Sequence, residues 1–103
     1  ALYETDLAAT DLEYLIFGHI GANHLHVNIL PRHPADYDAG RALYARWAAQ
    51  VIAWGGSISA EHGIGKLKRD LFRQMAGDAA LAQMRALKKC FDPAGLLNPG
   101  TLL

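Results

Sequence analysis

Two short segments of this 103-residue chain concentrate the side chains able to ligate a metal or move a proton. The first is Gly18-His19-Ile20-Gly21-Ala22-Asn23-His24-Leu25-His26-Val27-Asn28, and the second is Ser59-Ala60-Glu61-His62-Gly63-Ile64-Gly65. Between them they hold four of the five histidines, together with a glutamate. Imidazole and carboxylate are suited to a borderline divalent metal and to proton transfer near neutral pH. The interspersed glycines let backbone approach a ligand closely.

His19 and His26 stand seven residues apart across a glycine turn, which suits the end of one strand and the open face of the next. That spacing alone is a weak metal signal. Glu61 strengthens it, because two histidines and a carboxylate make a three-ligand site with coordination positions open for substrate or water, and open positions imply catalysis. Adjacent side chains in a looping backbone point apart, so Glu61 and His62 divide the work: Glu61 for the metal and His62 for proton transfer. The alternative for His62 is a hydrogen bond to a loop carbonyl. His24 shares the face of His26 but, two positions along a strand, has a longer reach to the same ion. His33, between Pro31 and Pro34, reads as solvent-facing. Gly63-Ile64-Gly65 before Lys66 can be read as an anion-binding turn at a helix N-terminus, yet its spacing matches neither a nucleotide P-loop nor a dinucleotide fingerprint. Lys66, Lys68 and Arg69 read more readily as a solvated helix face.

The elements that position these groups follow from periodicity. Leu2, Leu7, Ala8, Leu12 and Leu15 suggest an amphipathic helix over residues 2–14, and Tyr14-Leu15-Ile16-Phe17, ending at Gly18, has the signature of a buried strand. After Gly21-Ala22-Asn23, residues 24–30 alternate: Leu25, Val27 and Ile29 point one way, and His24, His26 and Asn28 the other. Asp36 and Asp38 favour the start of a helix that reaches about Trp54 and closes at Gly55-Gly56, with Leu43, Trp47, Val51 and Trp54 as its apolar stripe. Ser57-Ile58-Ser59 reads as a brief strand leading into the Glu61-His62 loop, which feeds a helix over Lys66 to Ala76. A last helix follows Asp78 as its N-cap, with Leu81, Met84, Leu87 and Phe91 as its buried side, and Asp92-Pro93-Ala94-Gly95 ends it. Tyr14, Tyr37, Tyr44, Trp47 and Trp54 are spaced for core packing rather than for stacking on a ligand.

The bulk properties narrow the function classes. Apolar residues make up 51% of the chain, ample for one small core. Ten basic residues balance ten acidic ones, so a general affinity for nucleic acid is not indicated. The single cysteine, Cys90, reads as a packing residue and fits a reducing compartment. No apolar run approaches the roughly 20 residues of a membrane span. The chain starts without Met and already reads as helix, which suggests a piece of a longer polypeptide.

At this point the sequence resembles the C-terminal part of flavin-linked oxidases of the vanillyl-alcohol-oxidase type. The similar branch acts on D-2-hydroxy acids and includes D-lactate dehydrogenase, D-2-hydroxyglutarate dehydrogenase and the glycolate oxidase flavin subunit. The resemblance covers nearly all 103 residues. Its anchors are Gly18-His19-Ile20-Gly21, His26-Val27-Asn28, residues 59–65, and Phe91-Asp92-Pro93-Ala94-Gly95-Leu96-Leu97-Asn98-Pro99-Gly100. The resemblance implies an α+β fold, the second half of a ferredoxin-like substrate domain with C-terminal helices, occupying residues 1–103. The FAD-binding domain would lie outside this chain. It also implies that His19, His26 and Glu61 ligate a divalent metal, usually zinc, that His62 is the active-site base, that Asn28 contacts substrate, and that Asn98 lies on the flavin side of the cleft. Many members have Asp-Gly-Asn where this chain has Ala22-Asn23-His24, so the chemistry of that turn differs here. FAD would serve the full-length protein and is not expected on these residues alone.

Two other readings stay open. A metal-dependent hydrolase would use the same ligands to activate water, with His62 as base. A non-catalytic fragment would associate with itself or with the missing FAD domain through its apolar helix faces. The expected partners are a small 2-hydroxy acid, the FAD domain, a second copy of the chain, and a membrane or electron acceptor at its periphery. The expected location is cytoplasmic, including the inner face of a membrane.

Overall fold

The computed structural model describes residues 2–103. Its elements are α1 (Leu2–Ala8), β1 (Glu13–His19), a single 3-10 turn (Ile20–Ala22), β2 (His24–Leu30), α2 (Pro34–Ala53) and α3 (Arg69–Phe91). The α+β class expected from the sequence is thus what the chain adopts. The chain divides within α2 into two units, one ending at Gln50 and one beginning at Val51.

In the first unit, α1 is shorter than the helix expected over residues 2–14. Thr10 ends it early: its backbone N–H and its hydroxyl both donate to the Leu7 carbonyl, at 3.0 and 2.8 Å. The Leu12 N–H then donates to the Thr10 hydroxyl oxygen at 3.3 Å, so local side-chain bonding replaces the helical ladder. Glu13 and Tyr14 are thereby released into β1, which pairs antiparallel with β2 from Glu13↔Leu30 to His19↔His24. The alternation expected over residues 24–30 holds at Val27 and Ile29, whereas Leu25, expected on the same packed face, is 57% exposed at the tip of the hairpin. Val27 and Ile29, with Ile16 of β1, face a core formed with Leu7 and Trp47, and Leu2, Tyr3 and Leu43 pack at its edge. β1 is not the buried strand its composition suggests: Leu15 and Phe17 are 56% and 52% exposed, because the helices cover only one face of this two-stranded sheet.

α2 opens on Pro34, whose missing N–H costs nothing at that position. Asp36 accepts the backbone N–H groups of Arg32 and His33 at 2.9 and 3.0 Å, which hold its carboxyl below the ordinary carboxylate range. The buried Trp47 indole N–H donates to Asp6 at 2.6 Å and, with Arg46, lowers the Asp6 carboxyl likewise. The Tyr44 hydroxyl donates to the Val27 carbonyl, tying α2 to β2, and partial desolvation of that hydroxyl, on a side chain otherwise exposed, pushes this phenol up. Of the five aromatics expected in the core, Trp47 alone is buried, and Tyr14, Tyr37, Tyr44 and Trp54 are exposed.

In the second unit, Gly55 and Gly56 close α2 by donating to the Ile52 and Val51 carbonyls. No strand forms at Ser57-Ile58-Ser59, because the Ser57 hydroxyl oxygen takes the Ser59 N–H and its hydroxyl donates to the Ser59 carbonyl. α3 begins at Arg69, three residues after the expected start, and is interrupted at Gly77 (φ 78°, ψ 161°), so two helical stretches flank the boundary the sequence suggests. Asp78 pairs with Arg73 at 2.8 Å. Along α3, Leu81 is buried whereas Met84, Leu87, Phe91 and Cys90 are exposed, contrary to the expected buried side and packing cysteine. Among the described residues, no helix is long and apolar enough to cross a membrane.

Candidate functional site

The β1–β2 register decides which side chains share the uncovered face of the hairpin. His19 stands opposite His24, Phe17 opposite His26 and Leu15 opposite Asn28, and paired residues project to the same side. Two features bring the strands to this register at the tip. Asn23, in the left-handed region at φ 49° and ψ 40°, completes the 3-10 turn and delivers the chain into β2. Gly18 lies so near β2 that a Cβ there would sit 2.1 Å from the His24 carbonyl oxygen.

The result is a group of three imidazoles. Ring centroids are 4.4 Å apart for His24 and His26, 5.6 Å for His19 and His24, and 5.9 Å for His19 and His26. One ring nitrogen from each lies within 4.8 Å of the others. Phe17 stacks on His26 with centroids 4.9 Å apart and an interplanar angle of 20°, which fixes the plane of that ring. His24 and His26 are half-buried and His19 is exposed. The long reach expected for His24 is overturned: alternate strand residues are about 6.6 Å apart along the strand, a gap two imidazoles span when they lean together. Sequence reading also passed over Phe17, whose only signal was its place one strand across from His26. Asn28 lies further along the same face, exposed.

The second segment forms a loop held by its own polar groups. The Ser59 hydroxyl donates to the Gly63 carbonyl at 2.7 Å. The Lys68 ammonium donates to the Ser59 hydroxyl at 2.9 Å and to the Gly63 carbonyl at 3.5 Å. Lys68 is therefore a staple across the loop rather than part of a solvated face. Gly63 and Gly65 take φ values of 69° and 58°, and the Leu102 N–H donates to the Gly65 carbonyl at 2.9 Å. A turn over residues 65–68 separates these glycines from α3, so they do not form its N-terminus. Within the loop, His62 Nε2 lies 3.3 Å from Glu61 Oε1. The expectation that these neighbours point apart is corrected: the bend at residues 61–62 ahead of Gly63 curls both side chains to one side. Asn98 lies on the exposed tail with φ 44°, its carbonyl accepting the Thr101 N–H at 3.1 Å.

Residues 3–102 match the family described as FAD linked oxidases, C-terminal domain. The chain belongs to that family. Among curated relatives of this FAD-linked oxidase C-terminal domain, D-2-hydroxyglutarate dehydrogenase of Stutzerimonas stutzeri is 42% identical over 96 residues, covering 89% of this chain and 21% of the relative. Probable mitochondrial D-lactate dehydrogenase of Danio rerio is 35% identical over 103 residues, 97% of this chain and 20% of the relative. Glycolate oxidase subunit GlcD of Bacillus subtilis is 32% identical over 100 residues, 95% of this chain and 21% of the relative. The chain thus spans about a fifth of the length of the curated relatives it matches.

Proposed function

We propose that this chain is the substrate-side C-terminal portion of an FAD-dependent oxidoreductase. It would oxidise a D-2-hydroxy acid of the lactate, glycolate or 2-hydroxyglutarate class to the 2-oxo acid, with the FAD-binding domain in another part of the longer protein. The observation that carries this reading is the open hairpin face bearing His19, His26 and Asn28, in a family whose relatives are named for such substrates.

The donor chemistry fits a divalent metal. Three imidazole nitrogens within 4.8 Å of one another suit a borderline cation, and in this reading the carboxylate of Glu61 would supply a harder oxygen donor. His19, His26 and Glu61 would hold it, and when bound it would act as a Lewis acid toward the substrate oxygens. Asn98, on the exposed tail, would lie on the flavin side, and FAD, when bound, would supply the hydride acceptor. His62 is the base in this reading. Glu61, 3.3 Å from His62 Nε2, would orient the ring and leave Nδ1 to take the hydroxyl proton. As that O–H bond breaks, the carbinol C–H pair departs as hydride and the carbon–oxygen double bond forms. The Asn28 carboxamide donates to the substrate carboxylate and sets which face of the carbinol carbon is presented.

The test is anaerobic flavin bleaching in the longer polypeptide that carries this chain. D-2-hydroxy acids are expected to reduce the flavin and their L-enantiomers to leave it oxidised. Reduction by neither enantiomer of lactate or 2-hydroxyglutarate, nor by glycolate, overturns the substrate class. The 103 residues alone are expected to bind no stoichiometric FAD, and a yellow purified chain would count against the division of domains.

A further inference from the structure

We propose that His24 is a third imidazole ligand, so that the tip of the hairpin holds a borderline divalent cation with His19, His24 and His26 from one continuous stretch of chain. The inference rests on the metal reading above and adds to it a ligand that the resemblance does not assign. Its basis is placement. Residues i and i+2 of one strand and the residue directly across from the first of them make a triangle on one sheet face, and here all three corners are histidine. The shortest ring separation of the three, 4.4 Å, involves His24.

The geometry needs little adjustment. Nitrogens around a tetrahedral zinc, each about 2.05 Å from the ion, lie about 3.4 Å apart. Contracting a triangle whose sides are at most 4.8 Å to that size moves each nitrogen inward by roughly 0.8 Å, within side-chain rotation alone. Phe17, stacked on His26, limits where that ring can turn and so pre-sets one corner. Three neutral imidazoles also select cation type, since nitrogen-rich sites favour zinc, cobalt, nickel or copper over manganese or magnesium.

X-ray absorption of the zinc-loaded 103-residue chain counts imidazole ligands directly, without any substitution. Three are expected, and two would overturn the proposal. Competition titration with zinc then compares His24→Asn and His24→Gln with the parent chain, circular dichroism confirming that each variant is folded. A direct ligand is expected to cost about 100-fold or more in affinity, beyond the 10–100-fold of an outer hydrogen-bond partner. A smaller loss in a folded variant overturns the proposal. If His19→Ala and His26→Ala lose zinc while the His24 variants keep it, the metal reading stands and this inference falls. A parent chain that binds no zinc removes both.

Discussion

Replacing Gly18 with alanine tests the hairpin that the whole site depends on. A Cβ at residue 18 would lie 2.1 Å from the His24 carbonyl oxygen and 3.0 Å from the Leu25 Cα, both backbone atoms that cannot rotate away. Restoring even a 3.0 Å separation opens the strands there by about 0.9 Å, in a pair normally about 4.8 Å apart. Hydrogen bonds of about 2.9 Å on either side then stretch past 3.5 Å, and two lost ladder bonds cost about 1–3 kcal/mol together, the same range as overpacking a core. Gly21, three residues on, is the internal control: a Cβ there would meet nothing within 4 Å, and its φ is ordinary. Gly21→Ala is expected to be neutral or to stabilise by about 0.4–1 kcal/mol through the unfolded state. Urea unfolding followed by fluorescence of the buried Trp47 measures both. Gly18→Ala within about 0.5 kcal/mol of the parent, a typical surface effect, would refute the close approach and with it the register that sets His19 against His24.

Leu7→Ala, at a side chain with no exposed surface in the centre of the first unit's core, is expected to cost about 2–5 kcal/mol in the same unfolding assay. Asp92 is held down to about 2 by the Lys88 ammonium and by the N–H groups of Leu97 and Leu96. A depressed folded value means its contribution is complete above about pH 4 and lost as pH falls toward 2, so the protection of the Leu96 and Leu97 amides relative to the unfolded chain should fall over that interval, and Asp92→Asn should abolish the step. In the longer polypeptide, His62→Ala is expected to keep bound metal while losing turnover by about 10²–10⁴, whereas Glu61→Ala lowers metal affinity and turnover together; metal analysis beside kinetics separates them, and a reversed pattern exchanges the two roles. Phe91 and Leu87, 81% and 61% exposed on α3, are expected to drive self-association of the 103-residue chain, visible in light scattering as a mass that rises with concentration and falls on Phe91→Glu.

How much of the site could be read in advance follows from the range of the interactions involved. The period-two alternation of residues 24–30 is local, so the assignment of His26 and Asn28 to the face opposite Val27 and Ile29 needed only the sequence. The helix break near Asp78 and the stop at Asp92 were equally local, set by Gly77 and by the Asp92-Pro93 pair. The end of α1 was misplaced because a hydroxyl at Thr10 captured the Leu7 carbonyl, a competition that hydrophobic spacing does not register. Burial differs wherever it requires a partner element: Phe17, Trp54 and Phe91 have core composition, yet they are 52%, 67% and 81% exposed.

The sequence by itself determined the chemistry available, the strand faces and, through its ordered motifs, the family, because residue types, short periodicities and turn residues are properties of neighbours along the chain. Only the tertiary structure decided the cross-strand register that sets His19 against His24, the stacking of Phe17 on His26, and the turning of Glu61 toward His62. Register depends on how two strands close over one particular turn, with Asn23 left-handed and Gly18 lacking a side chain, and a slip of one residue would send His24 and His26 to the core face.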